Sequence, residues 1–152
     1  MATGQQHAAF GKLICIAASA TALATALSGQ PQTAAGLCVG ALGGLLITPD
    51  IDHWQRTHEE VRIYRAAGPL AGRLWQAYWS PYAILIPHRH WLSHLPGVGT
   101  IIRIIYLCLP LALALLYFGQ PLPALPHFYA ATLAAWTVQD AFHLALDNFR
   151  LR

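Results

Sequence analysis

Three polar side chains around residue 143 of this 152-residue chain could bind a metal ion together. Asp140, His143 and Asp147 are spaced i, i+3 and i+7, so a helix would carry two carboxylates and an imidazole on one face. Charges at a helix end next to a membrane are costly unless they are paired, hydrated or bound to metal, so we favour a metal site. In the alternative, the two carboxylates pair with Arg89 or Arg103 and bind no ion.

Two further segments supply ligands of the same types. Asp50 and Asp52 are separated by one residue, and an extended turn would point both carboxylates the same way, which suits one ion held twice or two ions bridged. His88, His90 and His94 lie close together further along the chain. Imidazole and carboxylate ligands without thiolate favour zinc, manganese or iron over copper(I), and we expect zinc first. The sequence therefore predicts a site for one or two divalent metal ions.

Two long segments without Asp, Glu, Lys or Arg, 13–49 and 104–139, flank the central part of the chain. Only 10% of the residues are charged and 56% are apolar, whereas a soluble globular chain carries about 25% charged residues. This composition argues against an ordinary soluble domain and against a disordered chain. A helix through either segment would run roughly 55 Å, beyond the hydrocarbon core of about 30 Å. Gly and Pro at 29–31 and 119–121 predict a turn in each segment.

We therefore expect an all-α integral membrane protein built from two transmembrane helical hairpins. Its four spans are predicted at residues 13–28, 33–48, 100–118 and 124–142. A cleaved signal peptide is the alternative for the span at 13–28, but the second hairpin repeats the design without a cleavage site.

The basic residues lie on one side of this arrangement. They are Lys12, Arg56, Arg62, Arg65, Arg73, Arg89, Arg103, Arg150 and Arg152. By the positive-inside rule, both termini and the segment 50–98 face the cytoplasm of a cell inner membrane. That segment is rich in tryptophan and tyrosine, which settle at the headgroup level, so we expect short helices at the cytoplasmic interface. Because the chain has no run of Lys or Arg, no nucleic-acid partner is expected.

In this topology the candidate ligands converge at one depth. Those on the cytoplasmic side are His7, Asp50, Asp52, His53, His58, His88, His90, His94, Asp140, His143 and Asp147. Only His127 lies near the other side. We therefore treat residues 1–152 as one membrane domain whose metal site is covered by the segment 50–98.

Several short motifs, taken together, resemble a known family. They are Thr3-Gly4-Gln5-Gln6-His7, Thr48-Pro49-Asp50-Ile51-Asp52, His88-Arg89 with Ser93-His94, Gly99-Thr100 with Arg103 and Tyr106, and His143-Leu144-Ala145-Leu146-Asp147. The family comprises metal-binding membrane proteins of unknown function from cyanobacteria and other bacteria. It is similar in turn to the inner-membrane metal-dependent hydrolases, which share Pro-Asp-x-Asp, His-Arg with Ser/Thr-His, and a late His followed by Asp. The family often has Asp after its first His, where this chain has Ala8.

The resemblance implies which side chains contact the metal. They are His7, Asp50, Asp52, His88, His94, His143 and Asp147. These are too many for one tetrahedral ion, which favours two ions or a mixture of ligands and groups that orient them.

We expect a membrane-embedded metal-dependent hydrolase. A metal with an open coordination position lowers the pKa of its bound water and polarises a phosphoryl or carbonyl oxygen. The expected catalytic residues are Arg89, which would stabilise an anionic oxygen, and Asp140, which would orient a metal-bound histidine from outside. Ser93 is expected to be a hydrogen-bonding neighbour of His94 rather than a nucleophile. The depth of the site suggests a phospholipid or another amphiphilic (phospho)ester as substrate, with membrane lipid as partner.

Two other functions stay open. The first is a non-catalytic protein that transports, buffers or senses the metal, although the spans offer no charged relay for transport. The second is a structural subunit of a membrane assembly or oligomer, because Gly36, Gly40, Gly43 and Gly44 permit close helix packing. The second function leaves the convergence of ligand types unexplained.

Overall fold

The structure, a computed structural model, describes residues 4–53 and 57–147. The elements are α1 (Gly4–Leu27), α2 (Pro31–Leu46), a 3₁₀ turn (Pro49–Asp52), α3 (His58–Leu85), α4 (Trp91–His94), α5 (Val98–Tyr117) and α6 (Pro126–Leu146). No β-strand occurs in these two described ranges, so the expected all-α fold is confirmed. Some residues named above lie outside the described residues: Thr3, Arg56, Arg150 and Arg152, together with the side chain of His58.

Helices α2 and α6 pack with their backbones in close contact. A Cβ atom at Gly36 or Gly40 would collide with the backbone carbonyl oxygens of Phe128 and Thr132. A Cβ at Gly43 would lie 2.6 Å from the ring of Trp136. Small residues at a helix interface allow this approach, so the glycine face of α2 is used within the chain. Helix α1 packs on the same pair, which gives a three-helix layer.

Two helices, Gln5–Leu27 and Val98–Tyr117, are long and apolar enough to cross a membrane. Helix α2, Pro31–Leu46, is apolar but shorter, and α6 does not meet the same criterion of length and hydropathy. Helices thus form at all four predicted positions. Two candidate spans are only a weak indication of a membrane, however, and the expected four-span arrangement is not confirmed.

Most of the central segment, for which short interfacial helices are expected, forms the element α3. This helix is broken at Gly68, whose φ of 85° lies in the left-handed region that glycine adopts without strain. Pro69 follows and begins the second half, a position where its missing N–H costs nothing. Pro81 then lies inside the helix. Gly68 therefore divides α3 into two shorter helices, with Pro69 at the start of the second.

An aromatic core lies next to the 3₁₀ turn. Trp79 and Tyr82 of α3 are each 2% exposed and pack with Ile47, Ile51 and Trp136. Because Ile51 is buried in this core, its neighbours in the turn have fixed positions. The turn lies beside α4, while α5 begins after Gly97, whose φ is 83°. The start of α1, the end of α6 and α4 thus meet at the turn that follows α2.

Candidate metal centre

Asp50, His94, His143 and Asp147 form one compact group. Each offers a ligand atom, and these atoms all lie within 4.8 Å of one another. The 3₁₀ turn supplies Asp50, α4 supplies His94, the last turn of α6 supplies His143, and Asp147 directly follows that helix. Oδ1 of Asp50 is 3.6 Å from Nε2 of His94 and 3.5 Å from Nε2 of His143. Nε2 of His143 is in turn 3.7 Å from Oδ2 of Asp147.

These separations fit ligands of one metal ion better than hydrogen bonds. Hydrogen bonds between such atoms span about 2.7–3.2 Å, whereas two ligands about 2.1 Å from a tetrahedral ion are about 3.4 Å apart. The Nε2 atoms of His94 and His143 are also buried and have no hydrogen-bond partner among the described residues. Buried polar atoms are nearly always satisfied, so two such nitrogens facing one carboxylate call for an explanation. A divalent ion fits these residues.

A second group, Asp52, His88 and His94, is held together by hydrogen bonds. Nδ1 of His88 is 2.7 Å from Oδ1 of Asp52, and Ser93 Oγ donates to Oδ2 of Asp52 at 2.6 Å. Nδ1 of His94 lies 2.8 Å from Ser93 Oγ and 3.4 Å from Asp52 Oδ2. The two ring nitrogens of His94 therefore have different neighbours. Nε2 belongs to the first group, and Nδ1 contacts Ser93 and Asp52. A carboxylate behind a metal-binding imidazole orients the ring and raises its basicity.

The charges of this cluster are strongly coupled. Burial alone would lower the pKa of His94, but contacts with Asp50 and Asp52 outweigh it and raise the pKa to about 9. Burial alone would raise the pKa of both carboxyls. Contacts with His143 and His94 instead lower the pKa of Asp50, and contacts with His94, Ser93 and His88 lower the pKa of Asp52. Both carboxylates are thus anionic, which is the form that binds a cation.

The remaining candidate ligand, His7 of α1, contacts the group from outside. Its Nε2 lies 3.2 Å from Oδ1 of Asp147, and its ring stacks on that of His143 with 4.1 Å between the centroids. Arg89 approaches Asp147 from another side, with Nη2 3.9 Å from Oδ2. All the candidate ligands implied by the resemblance are therefore brought together. Asp50, His94, His143 and Asp147 have ligand-like spacing. The other three, His7, Asp52 and His88, contact this group or its neighbours.

Arg89 adopts a backbone conformation that is rare for its residue type. Its φ is 64°, in the left-handed region, and its backbone N–H donates to Oδ2 of Asp52 at 3.2 Å. A residue other than glycine adopts this region at a cost of about 1 kcal/mol or more and tends to do so at functional sites. The side chain is 20% exposed, so the guanidinium lies at the edge of the cluster.

Asp140 is paired elsewhere, as the alternative derived from the sequence had it. It is 1% exposed, accepts a hydrogen bond from Thr100 Oγ1 and forms an ion pair with Arg103. Arg103 also donates through Nη1 to the backbone carbonyl of Ser93 at 2.7 Å. The pair of Asp140 and Arg103 therefore joins α5 and α6 to α4 behind the candidate ligands. The sequence analysis did not predict this link to Ser93. The feature that could have indicated it is Arg103, a charged residue at the start of an apolar segment.

His53, His90 and His127, whose side chains the structure describes, lie outside both groups. The ring of His53 stands edge-on to that of His88, with 4.5 Å between centroids. His90 caps α4, where its Nδ1 accepts from the backbone N–H of Leu92 at 3.3 Å. His127 is exposed near the start of α6, far along the helix from His143. Ser93, as expected, is a hydrogen-bonding neighbour of His94.

Comparison with known proteins adds one match. The model of a family described as uncharacterised metal-binding proteins (DUF2227) covers residues 2–148. No curated protein and no solved structure matches the chain.

Proposed function

The chain belongs to this family of uncharacterised metal-binding proteins, and on that premise we propose that Asp50, His94, His143 and Asp147 hold one divalent metal ion. The observation that carries the proposal is the pair of buried Nε2 atoms of His94 and His143, which face one oxygen of Asp50 without a hydrogen bond. Two nitrogen and two carboxylate ligands suit zinc first, with manganese or iron as the alternatives.

One ion is proposed rather than two because the second group is already satisfied. His88 and Asp52 are 2.7 Å apart, a hydrogen-bond distance, and Ser93 donates to the same carboxylate. We assign Asp52 and His88 to orienting His94, and His7 to orienting Asp147. These orienting groups fix the rings and carboxylates in position before the ion arrives.

The metal content of the purified full-length protein tests the proposal. After mild chelation and re-addition of single metals, the wild type should hold one equivalent, while His94→Ala and His143→Ala should hold none. His127→Ala is the matched control, because it removes an exposed imidazole at the far end of α6, and it should keep its metal. A wild type without metal, or one with two equivalents, would contradict the single-ion site.

We further propose that the protein is embedded in the inner membrane with the metal centre and both termini on the cytoplasmic side. The exposed leucines of α1 and α5 support this placement, because a membrane would cover them. Arg89 contacts Asp147 at the metal group, and Lys12 follows His7 on α1, so both cations belong to the side of the membrane that carries the metal group, in accord with the positive-inside rule.

Hydrolysis is the second candidate function, and the openness of one side of the cluster favours it. The side chain of Asp50 is 34% exposed, and Arg89 lies at the same edge, where its guanidinium could bind an anionic oxygen. A bound divalent ion would supply Lewis-acid polarisation and a lowered pKa of water. Asp140, paired with Arg103, would act by positioning Ser93 and hence His94.

A holding function without chemistry is supported by the four protein ligands, since structural zinc sites are closed in this way. Amphiphilic phosphoesters and carboxylesters, offered to the metal-loaded protein, separate the two functions. Turnover that is lost in Arg89→Gln at unchanged metal content supports hydrolysis. A metal-loaded protein that turns over no ester supports the holding function.

A further inference from the structure

A groove between α1 and α3 lies apart from the metal centre. It encloses about 500 Å³ and is open to the outside. Its lining residues are Gln5, Ala8, Ala9, Lys12 and Leu13 of α1 and Arg62 of α3. On a helix these α1 positions form a stripe roughly opposite His7, so the groove and the metal ligands use different sides of α1. The alanines leave room, and the two cations flank it.

Lys12 and Arg62 give the groove a positive charge. Lys12 is exposed and Arg62 is half-buried. Neither residue forms an ion pair with any carboxylate whose side chain the structure describes. An ammonium and a guanidinium at one groove bind phosphate well, because the guanidinium offers paired N–H donors and the ammonium a compact charge. The groove therefore suits an anionic phosphate group.

An exposed apolar stripe leads away from the groove along α1. Leu13 is 61% exposed, Ile16 is 66% exposed and Leu27 is 82% exposed, with exposed Leu23 between them. Their spacing places them on one side of the helix, continuous with Leu13 at the groove. A ligand that satisfies both features has an anionic head and a long apolar tail.

We propose that this groove binds the phosphodiester headgroup of an anionic phospholipid, with an acyl chain lying along Leu13, Ile16 and Leu23. The proposal rests on the membrane location given under the proposed function and does not depend on the proposed metal ion. Phosphate oxygens are held between Lys12 and Arg62, at the level where the apolar surface of α1 begins. The lipid thereby joins α1, which carries His7, to α3, which packs on the 3₁₀ turn.

Native mass spectrometry of the full-length protein in neutral detergent tests the lipid site. The wild type should retain phosphatidylglycerol in preference to phosphatidylcholine with the same acyl chains. The double variant Lys12→Gln, Arg62→Gln should bind phosphatidylglycerol about thirty-fold more weakly, because each Lys or Arg beside an anionic lipid contributes about fivefold. The matched control, Arg65→Gln with Arg73→Gln, removes two exposed charges outside the groove and should keep the preference.

Several results would overturn the lipid site. These are equal retention of the two lipids, an equal loss in the control variant, or displacement of the lipid by inorganic phosphate at low millimolar concentration, which would indicate a site for a free anion. Metal content is measured on the same samples. A protein that binds the lipid but no metal refutes the metal proposal alone, whereas a metal-loaded protein without lipid preference refutes the lipid site alone.

Discussion

The ring of His7 stacks on the ring of His143, with 4.1 Å between the centroids and 27° between the planes. The first residue lies in the first helix and the second in the last helix, so this contact joins the two ends of the described chain. His7 also reaches the outer oxygen of Asp147, whose other oxygen belongs to the ligand group. The packing of α1 and the geometry of the proposed metal ligands are therefore linked through one imidazole.

Replacing His7 by alanine should weaken metal binding without abolishing it. The four ligands remain, but Asp147 loses the group that fixes its orientation, and such losses cost about 10–100-fold in affinity. Competition with a chelator of known affinity measures the effect, and His127→Ala supplies the control. A complete loss of metal from His7→Ala would instead make His7 a ligand.

Replacing Asp52 by asparagine should have an effect of the same size. Asp52→Asn keeps the volume of the side chain but removes the charge that raises the basicity of the His94 ring, so we expect about 10–100-fold weaker binding with one equivalent still reached. Ser93→Ala should cost less, because Asp52 stays in place. A wild type with two equivalents, of which Asp52→Asn loses one, would favour a second ion between Asp52 and His88.

Removing the metal should lower the thermal stability of the wild type. A ligand that binds only the folded state at about 100 times its Kd stabilises that state by about 2.7 kcal/mol, which is several degrees in Tm for a chain of this size. Thermal unfolding with and without a chelator, followed by circular dichroism, measures the shift. His143→Ala should unfold at the same temperature in both conditions, and a chelator effect in that variant would mean that the ion binds elsewhere.

The ion pair between Arg103 and Asp140 should be costly to break from one side only. Both side chains are buried, so Asp140→Leu leaves an uncompensated guanidinium and should destabilise the protein by about 3–5 kcal/mol. The double variant Arg103→Met, Asp140→Leu should recover most of that loss, because neither charge remains. Unfolding of both variants in neutral detergent gives the comparison. Equal destabilisation of the single and double variants would show that the hydrogen bonds to Thr100 and Ser93, rather than the charges, matter most.

The sequence predicted the positions of the four apolar helices because charge-free segments and Gly-Pro turns are local features. It also predicted that the segments with Asp50, His94 and His143 converge, because the ends of antiparallel helices meet at one side. Short helices were also predicted for the central segment, and α3 consists of two helices separated at Gly68, although the sequence did not indicate where they begin and end.

The sequence did not predict which candidate ligands face the proposed ion and which make hydrogen bonds to other side chains. Asp50 and Asp52 are of one type and two residues apart, yet one faces two imidazoles at ligand-like spacing and the other makes hydrogen bonds at 2.6–2.7 Å. Likewise, the i, i+3, i+7 spacing put Asp140 on the face of His143, but Arg103 of α5 decides its partner. These roles depend on small differences in distance and on contacts between elements that are distant in sequence. Local residue spacing predicts neither the distances nor the contacts.

The proposed ligands come from three distant parts of the chain: the turn at Pro49–Asp52, helix α4 and the end of α6. During synthesis, His143 and Asp147 emerge only after most of α6 has been made. Asp50 and His94 cannot complete the proposed site before then, because two of its four ligands are still missing. If the proposed site is correct, metal occupancy indicates that the chain has been made through α6, and a chain truncated before His143 should not retain the ion.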